Sequence, residues 1–423
     1  MYQSDDLPRR PFLGLDVRAR KQAENPRPGL EVIRVTPEGT AARAGVRPGD
    51  WLEFVNEHPV SDARELGAYV RTLQIGARLV LGVDREGEKV SLPSEMVALP
   101  VERLAHADVH LGHVRVGEHR RRTVLTIPKG LAAPHPTILY LSGLGTQSCE
   151  LSEDPDEPLR HFLQDFSRAG FATLRVERSG VGDGEGRPLQ TTSFFDDVAA
   201  YRAALDLLIQ NGSGRQIFLF GHSVGGMMAP LLASEGINLR GIMVFGTSLL
   251  KWVDCIVRAT RRQKLLAGML GEELDAYVAA WERMHWLVCR GGLSPEQVFA
   301  QEPQLRWLEG SACRGETMFG RHVHFFQQLE RLDLEALWKT AFAPVLVLHG
   351  EFDWACGPDE GKALANAIAE VDPSPVEFVE LGGTGHDMRR HVSIEESYVN
   401  PRRGVWDERI VSTAEQWIRG LER

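Results

Sequence analysis

The chain has 423 residues, 43% of them hydrophobic and 25% charged, with a formal net charge of −10. That length allows two or three domains, and the acidic balance argues against nucleic acid as a partner. No apolar run approaches membrane-spanning length, so no membrane span is expected.

Taken from its start, Met1 to Arg10 carries no apolar core, which predicts the absence of a secretory leader. Five scattered cysteines without C-x-x-C spacing (Cys149, Cys255, Cys289, Cys313, Cys356) point to reduced thiols and a cytoplasmic location.

Residues 10–98 read as a small β-rich domain. Strands are predicted at Leu30–Val35 and Trp51–Val55, with a hairpin from Ala77–Asp84 to Lys89–Leu92. Ser61-Asp62 caps a helix running to about Leu73. The stretches "PFLGLDV" and "GTAARAGVRPGDWLEFVNEHPV" resemble the PDZ family, in the arrangement seen in bacterial proteases. The resemblance implies a loop, Phe12, Leu13 and Gly14, whose backbone N–H groups hold a peptide's terminal carboxylate. It also implies a groove beside the helix Ser61–Leu73, where a C-terminal peptide adds a strand. A module used only for positioning is the alternative.

Residues 105–247 alternate strand and helix. Asp108–Val116 and Thr123–Ile127 pair, with Arg120-Arg121-Arg122 expected at a solvated hairpin end. Thr137–Leu141, Phe171–Val176 and Ile242–Phe245 are apolar runs suited to a buried parallel sheet, and helices are expected at Pro158–Ala169 and Thr192–Gln210. The alternation predicts an α/β, doubly wound, mostly parallel sheet with sites at the strands' carboxyl ends.

The most informative stretch is "QIFLFGHSVGGMMAP", residues 216–230. An apolar run stops at Gly221, and helix-forming residues resume after Ser223 and Gly225. The pattern Gly221-x-Ser223-x-Gly225 is a nucleophile elbow: a strained turn lifts the serine hydroxyl above the sheet edge. Its flanking positions must be tiny, because the strand and helix backbones nearly collide there. Such a pattern arises by chance on the order of 0.2 times in this length, so the strand before it and the helix after it carry the reading.

Residues 248–340 break the sheet pattern. Helices are predicted at Lys251–Leu270, Glu272–Arg290, Ser294–Ala300 and His322–Lys339. Trp252, Trp281, Trp286, Trp307 and Trp338 fit either a lid over an apolar pocket or plain helix packing. Arg258, Arg261, Arg262 and Lys264 read as a solvated basic face. His322-x-His324 lacks a carboxylate or cysteine at ligand spacing, so no metal is expected there. Residues 341–421 return to strand–helix alternation, with strands at Pro344–His349 and Val376–Leu381 and a closing helix at Asp407–Leu421.

With "LVLHGEFD" and "GTGHDM", residues 105–247 and 341–421 resemble the α/β-hydrolase family, with 248–340 as its cap. "LSGLG" resembles the oxyanion loop, with Ser142-Gly143 where the family usually has His-Gly. "ERSGVGDGEG" resembles the glycine-rich loop; its spacing does not fit a nucleotide cradle. The order Ser223, Asp353, His386 is that of the family. The family spacing His-Gly-x-x-Asp selects Asp353 over Glu351, and His349, His391 and His222 are weaker candidates for the base.

The resemblance implies a serine hydrolase that needs no cofactor and cleaves a small acyl ester through an acyl-enzyme. Val224 and either Leu144 or Gly145 would be the oxyanion donors. A peptidase on the same fold and a non-catalytic PDZ scaffold are the alternatives.

Overall fold

The computed structural model describes residues 7–19, 29–151, 155–213, 216–370 and 375–421. Met1–Asp6, part of the stretch read above as lacking a leader, lies outside them. The described chain forms two compact units, Leu7–Glu102 and Arg103–Arg423.

The first unit holds a five-strand antiparallel path. Its order is Leu15–Arg18, Leu30–Val35, Trp51–Val55, Arg78–Arg85, Glu88–Glu95. Leu30, Val32, Leu52, Val55, Leu81 and Val83 alternate inward and form its core with Leu66 and Val70 of the helix Ala63–Val70. Leu15–Arg18 is an edge strand, with one side unpaired within the sheet.

The second unit is built on ten strands. Six run parallel, in the order Val376–Gly385, Val345–Phe352, Gly241–Phe245, Ile217–His222, Thr137–Leu141, Ala172–Val176. The hairpin of Ala107–Val116 and His119–Pro128 extends one edge antiparallel. Two short strands extend the other. The central strands are buried on both faces, as their unbroken apolar runs require. Thr137–Leu141 has the next strand in sequence on one side and the elbow strand on the other. The crossovers therefore diverge between residues 141 and 222, opening a crevice at the strands' carboxyl ends.

Helix Phe194–Leu208 begins with a capping box in which Ser193 and Asp196 satisfy each other's backbone N–H groups. Phe162 and Phe166 of helix Pro158–Arg168 pack edge-on against Phe220 of the elbow strand, locking it from below.

Three expectations need correction. Arg121 and Arg122 are not at a solvated end but buried. Arg122 pairs with buried Asp183 at 3.1 Å, and Arg120 pairs with Glu185, so this strand clamps the glycine-rich loop; breaking such a buried pair typically costs about 3–5 kcal/mol. The helix expected at His322–Lys339 is two, Val323–Glu330 and Leu334–Trp338, because the Asp333 carboxylate caps a fresh start by accepting from the Ala336 N–H. Arg262 leaves the basic face and turns inward, donating to the Trp354 and Ala355 carbonyls and to Glu360.

Candidate active site

The elbow forms because the strand Ile217–His222 must turn within one residue into the helix Val224–Ala233. Ser223 takes that turn at φ 55°, ψ −121°, a strained backbone for a residue with a side chain. A Cβ on Gly221 would come within 2.7 Å of the Gly225 carbonyl and the Gly226 backbone, and one on Gly225 would overlap the Leu141 carbonyl. Those two glycines are therefore steric requirements of the turn.

The structure brings three side chains together across the crevice. His386 Nε2 lies 3.1 Å from Ser223 Oγ, and His386 Nδ1 lies 2.8 Å from Asp353 Oδ2. The other Asp353 oxygen accepts the N–H groups of Ala355 and Cys356, each at 2.8 Å. The carboxylate is wholly buried and held at both oxygens.

Burial works against the His386 cation, but the Asp353 charge and hydrogen bond outweigh it and raise the pKa above 6.5. Burial likewise opposes the Asp353 anion, and the His386 contact overcomes that, holding the carboxyl below its usual range. A base must be neutral to take a proton. Any hydrolysis in which His386 serves as the base is therefore expected to lose kcat/KM as pH drops through a midpoint above 6.5, which a pH–rate profile checks; a midpoint below 6.5 would contradict the raised His386.

The competing residues sit elsewhere. Glu351 is exposed and accepts the Gly383 N–H at 2.7 Å. His349 is buried beneath the acid loop, its Nε2 3.1 Å from the Cys356 carbonyl. His391 contacts Asp387 at 3.2 Å. His222 stands beside the site, with Nε2 3.0 Å from the His386 carbonyl. Burial, then the neighbouring His386, pushes its pKa down to about 4, so it stays neutral and acts as a prop.

The loop after Thr137–Leu141 abuts the serine. A Cβ on Gly143 would meet Ser223 Cβ at 3.0 Å, whereas one on Gly145 would meet Gln147 Oε1 and Arg178. Val224 opens its helix, so the helix leaves its N–H without an internal acceptor. Buried Arg178 fixes this loop: its Nη2 donates to the Gly143 carbonyl and to Ser142 Oγ. Tyr201 accepts the Ser142 N–H at 3.0 Å, and Asp197 binds Arg178 from behind. These residues were not singled out from the sequence. The arginine after the strand in "ERSGVG" is the one available signal.

From the helical segment 248–340, the turn at Phe319-Gly320 reaches the same loop, where a Cβ on Gly320 would meet Thr146 Cγ2 at 2.9 Å. Phe319, at φ 50°, stacks edge-on with Trp252, which packs on Phe326 at 5.0 Å. Of the five tryptophans in residues 248–340, Trp252, Trp281 and Trp338 are buried, while Trp286 and Trp307 are exposed. His322 does have a carboxylate neighbour, Glu316 at 3.4 Å, but His324 turns to Gln327 and Gln328. In the small unit, Pro11–Phe12 pairs with Val97–Ala98, so Phe12 belongs to a short strand. Leu13 and Gly14 form the turn into the edge strand, with Gly14 at φ 76°.

The parallel sheet with its elbow, and the small β-rich unit with its free edge, define an α/β-hydrolase enzyme joined to a PDZ domain. The family model described as serine aminopeptidase, S33, matches residues 156–388, more than half of the chain, and the chain belongs to that family. A PDZ domain model matches residues 11–94.

Curated relatives match only this smaller part. The periplasmic serine endoprotease DegP of Escherichia coli is 37% identical over 68 residues, which is 16% of this chain and 14% of that protein. The magnetosome formation protease MamE of Paramagnetospirillum magneticum is 36% identical over 86 residues, 19% of this chain and 12% of that protein. The chain thus spans about a seventh of the length of the curated relatives it matches. Among solved structures, Est1E from Butyrivibrio proteoclasticus aligns with a TM-score of 0.47 at 14% identity, over 73% of this chain and 98% of that one. No helix among the described residues is long and apolar enough to cross a membrane.

Proposed function

We propose that the enzyme hydrolyses a small carboxylic ester or related acyl bond with Ser223 as nucleophile, His386 as base and Asp353 as its partner. The observation that carries this reading is the continuous chain of contacts Ser223 Oγ, His386 Nε2, His386 Nδ1, Asp353 Oδ2. His386 takes the serine proton as Oγ attacks the carbonyl carbon. It returns that proton to the departing alcohol, leaving an acyl-serine. It then deprotonates a water that attacks the acyl carbon, and passes that proton back to Ser223 Oγ as the C–Oγ bond breaks and the acid leaves. Asp353 keeps the imidazole proton on Nδ1, so that Nε2 is free to accept. The N–H of Val224 and that of Leu144 or Gly145 receive the oxyanion, with Arg178 holding their loop in place; losing one such donor typically costs about 10²–10³ in turnover.

The choice of an ester over an aminoacyl amide rests on the apolar character of the cap where it meets the oxyanion loop. Asp387, the carboxylate next to the base in sequence, is already engaged by His391 and Arg389. The family description favours the peptidase alternative. The deciding experiment compares short p-nitrophenyl acyl esters with aminoacyl p-nitroanilides after labelling by a fluorophosphonate. Ester turnover with probe incorporation at Ser223 is expected. Preferential amide cleavage would replace the ester reading by the peptidase one, and no labelling with no turnover would leave the scaffold reading.

The edge strand Leu15–Arg18 supports strand addition by a C-terminal peptide, whose carboxylate the Leu13-Gly14 turn would receive. That peptide positions or regulates the hydrolase. The five cysteines are all free, which supports a cytoplasmic setting.

A further inference from the structure

Cys255 lies on the cap helix Trp252–Leu266. Cys356 follows the acid loop, and Glu360 lies in the first turn of helix Pro358–Ala369. They are remote in sequence, yet one ligand atom from each, the two sulfurs and a carboxylate oxygen, all lie within 4.8 Å of one another. All three residues are buried, at 6%, 5% and 4% exposure.

Glu360 supplies the independent observation. Its Oε1 accepts from Arg262 and from the Gly357 N–H, each at 3.3 Å, but its buried Oε2 has no hydrogen-bond partner. A buried carboxylate oxygen without a donor costs free energy unless a cation faces it.

We propose that Cys255, Cys356 and Glu360 form a structural site for a soft divalent cation, zinc by its donor set. Two thiolates and a carboxylate suit zinc by softness, at about 2.3 Å for sulfur and 2.0–2.2 Å for oxygen. Tetrahedral bonding at those lengths sets the sulfurs about 3.7 Å apart, a closure of an ångström or so at most. Charge supports the assignment. Three anionic ligands, the divalent ion and the adjoining Arg262 guanidinium sum to neutrality, as a buried cluster requires. Binding releases two thiol protons to solvent, and a water completes the fourth position.

The site joins two parts of the machine. The Cys356 N–H donates to Asp353 Oδ1, and the Cys356 carbonyl meets His349. An ion here ties the cap helix to the loop that holds Asp353. Sequence reading missed it because the two cysteines lie on separate elements without paired spacing.

The test is metal content of the full chain expressed in zinc-supplemented medium and dialysed without chelator. About one zinc per chain is expected. Cobalt substitution should give thiolate-to-cobalt charge-transfer and tetrahedral d–d absorption. Added zinc should raise the Tm of the stripped protein by ~5 °C or more. Cys255→Ser and Cys356→Ser should lose the metal and the cobalt bands, while Cys289→Ser keeps both. Glu360→Gln, which preserves volume, covers the case in which a cysteine variant does not fold, and should lower zinc retention by about 10-fold or more. Zinc no higher in the wild type than in Glu360→Gln, or a Cys255–Cys356 disulfide in the zinc-replete protein, would overturn the site. None of these readouts depends on which bond the enzyme cleaves.

Discussion

Ser223→Ala is expected to slow ester hydrolysis by ~10⁴-fold or more while the protein stays folded. The size follows from what is lost. Without Oγ no acyl-enzyme forms, and only oxyanion binding and positioning remain to act on a water. The fold should survive, because the Ser223 hydroxyl touches little besides His386. Alanine also tolerates the φ of 55° about as well as serine does, since both carry a Cβ. Fluorophosphonate labelling should vanish in parallel, with a melting temperature within a few degrees of the parent as the control. Hydrolysis above a hundredth of the parent rate, or labelling that persists on another residue, would remove Ser223 from the reaction.

How much of this was legible before any coordinates depended on distance along the chain. The elbow was legible because its physics is local: Gly221, Ser223 and Gly225 lie within five residues, and the steric demand acts between them. The PDZ and α/β layers were legible because burial on one face or both leaves a periodic mark. Asp353 was separated from Glu351 only by a family spacing. The two differ in surroundings that no spacing states: Asp353 is buried and carries two backbone N–H donors, while Glu351 faces solvent.

What was not legible was where charged residues find long-range partners. Arg122 and Arg262 read as solvated residues, and Arg178 only as part of the glycine-rich loop. Their partners Asp183, Asp197 and Glu360 lie 61, 19 and 98 residues away, so no short window of sequence contains the pair that turns each arginine inward. The break at Asp333 was missed because a helical apolar period continues across it, and only the cap hydrogen bond reveals the restart.

Asp353→Asn is the second large expected effect, about a 10⁴-fold loss in kcat with little change in fold. The geometry dictates the direction. One oxygen of residue 353 accepts two N–H groups, from Ala355 and Cys356. The asparagine oxygen must stay there, so its NH₂ is forced into the place of Oδ2, facing His386 Nδ1. Nδ1 must then accept, the imidazole proton moves to Nε2, and Nε2 can no longer receive the serine proton. The same change removes the charge that raises the His386 pKa and leaves burial, which lowers it. The residual activity should therefore keep an acid limb, shifted below that of the parent. Glu351→Gln, by contrast, loses only an exposed contact to the Gly383 N–H and should stay within about threefold of the parent, a surface change of small energy. Measured side by side, the two pH–rate profiles separate an acid that sets the tautomer from a bystander. An Asp353→Asn enzyme with near-parental kcat, or a Glu351→Gln enzyme that has lost it, would reassign the carboxylate.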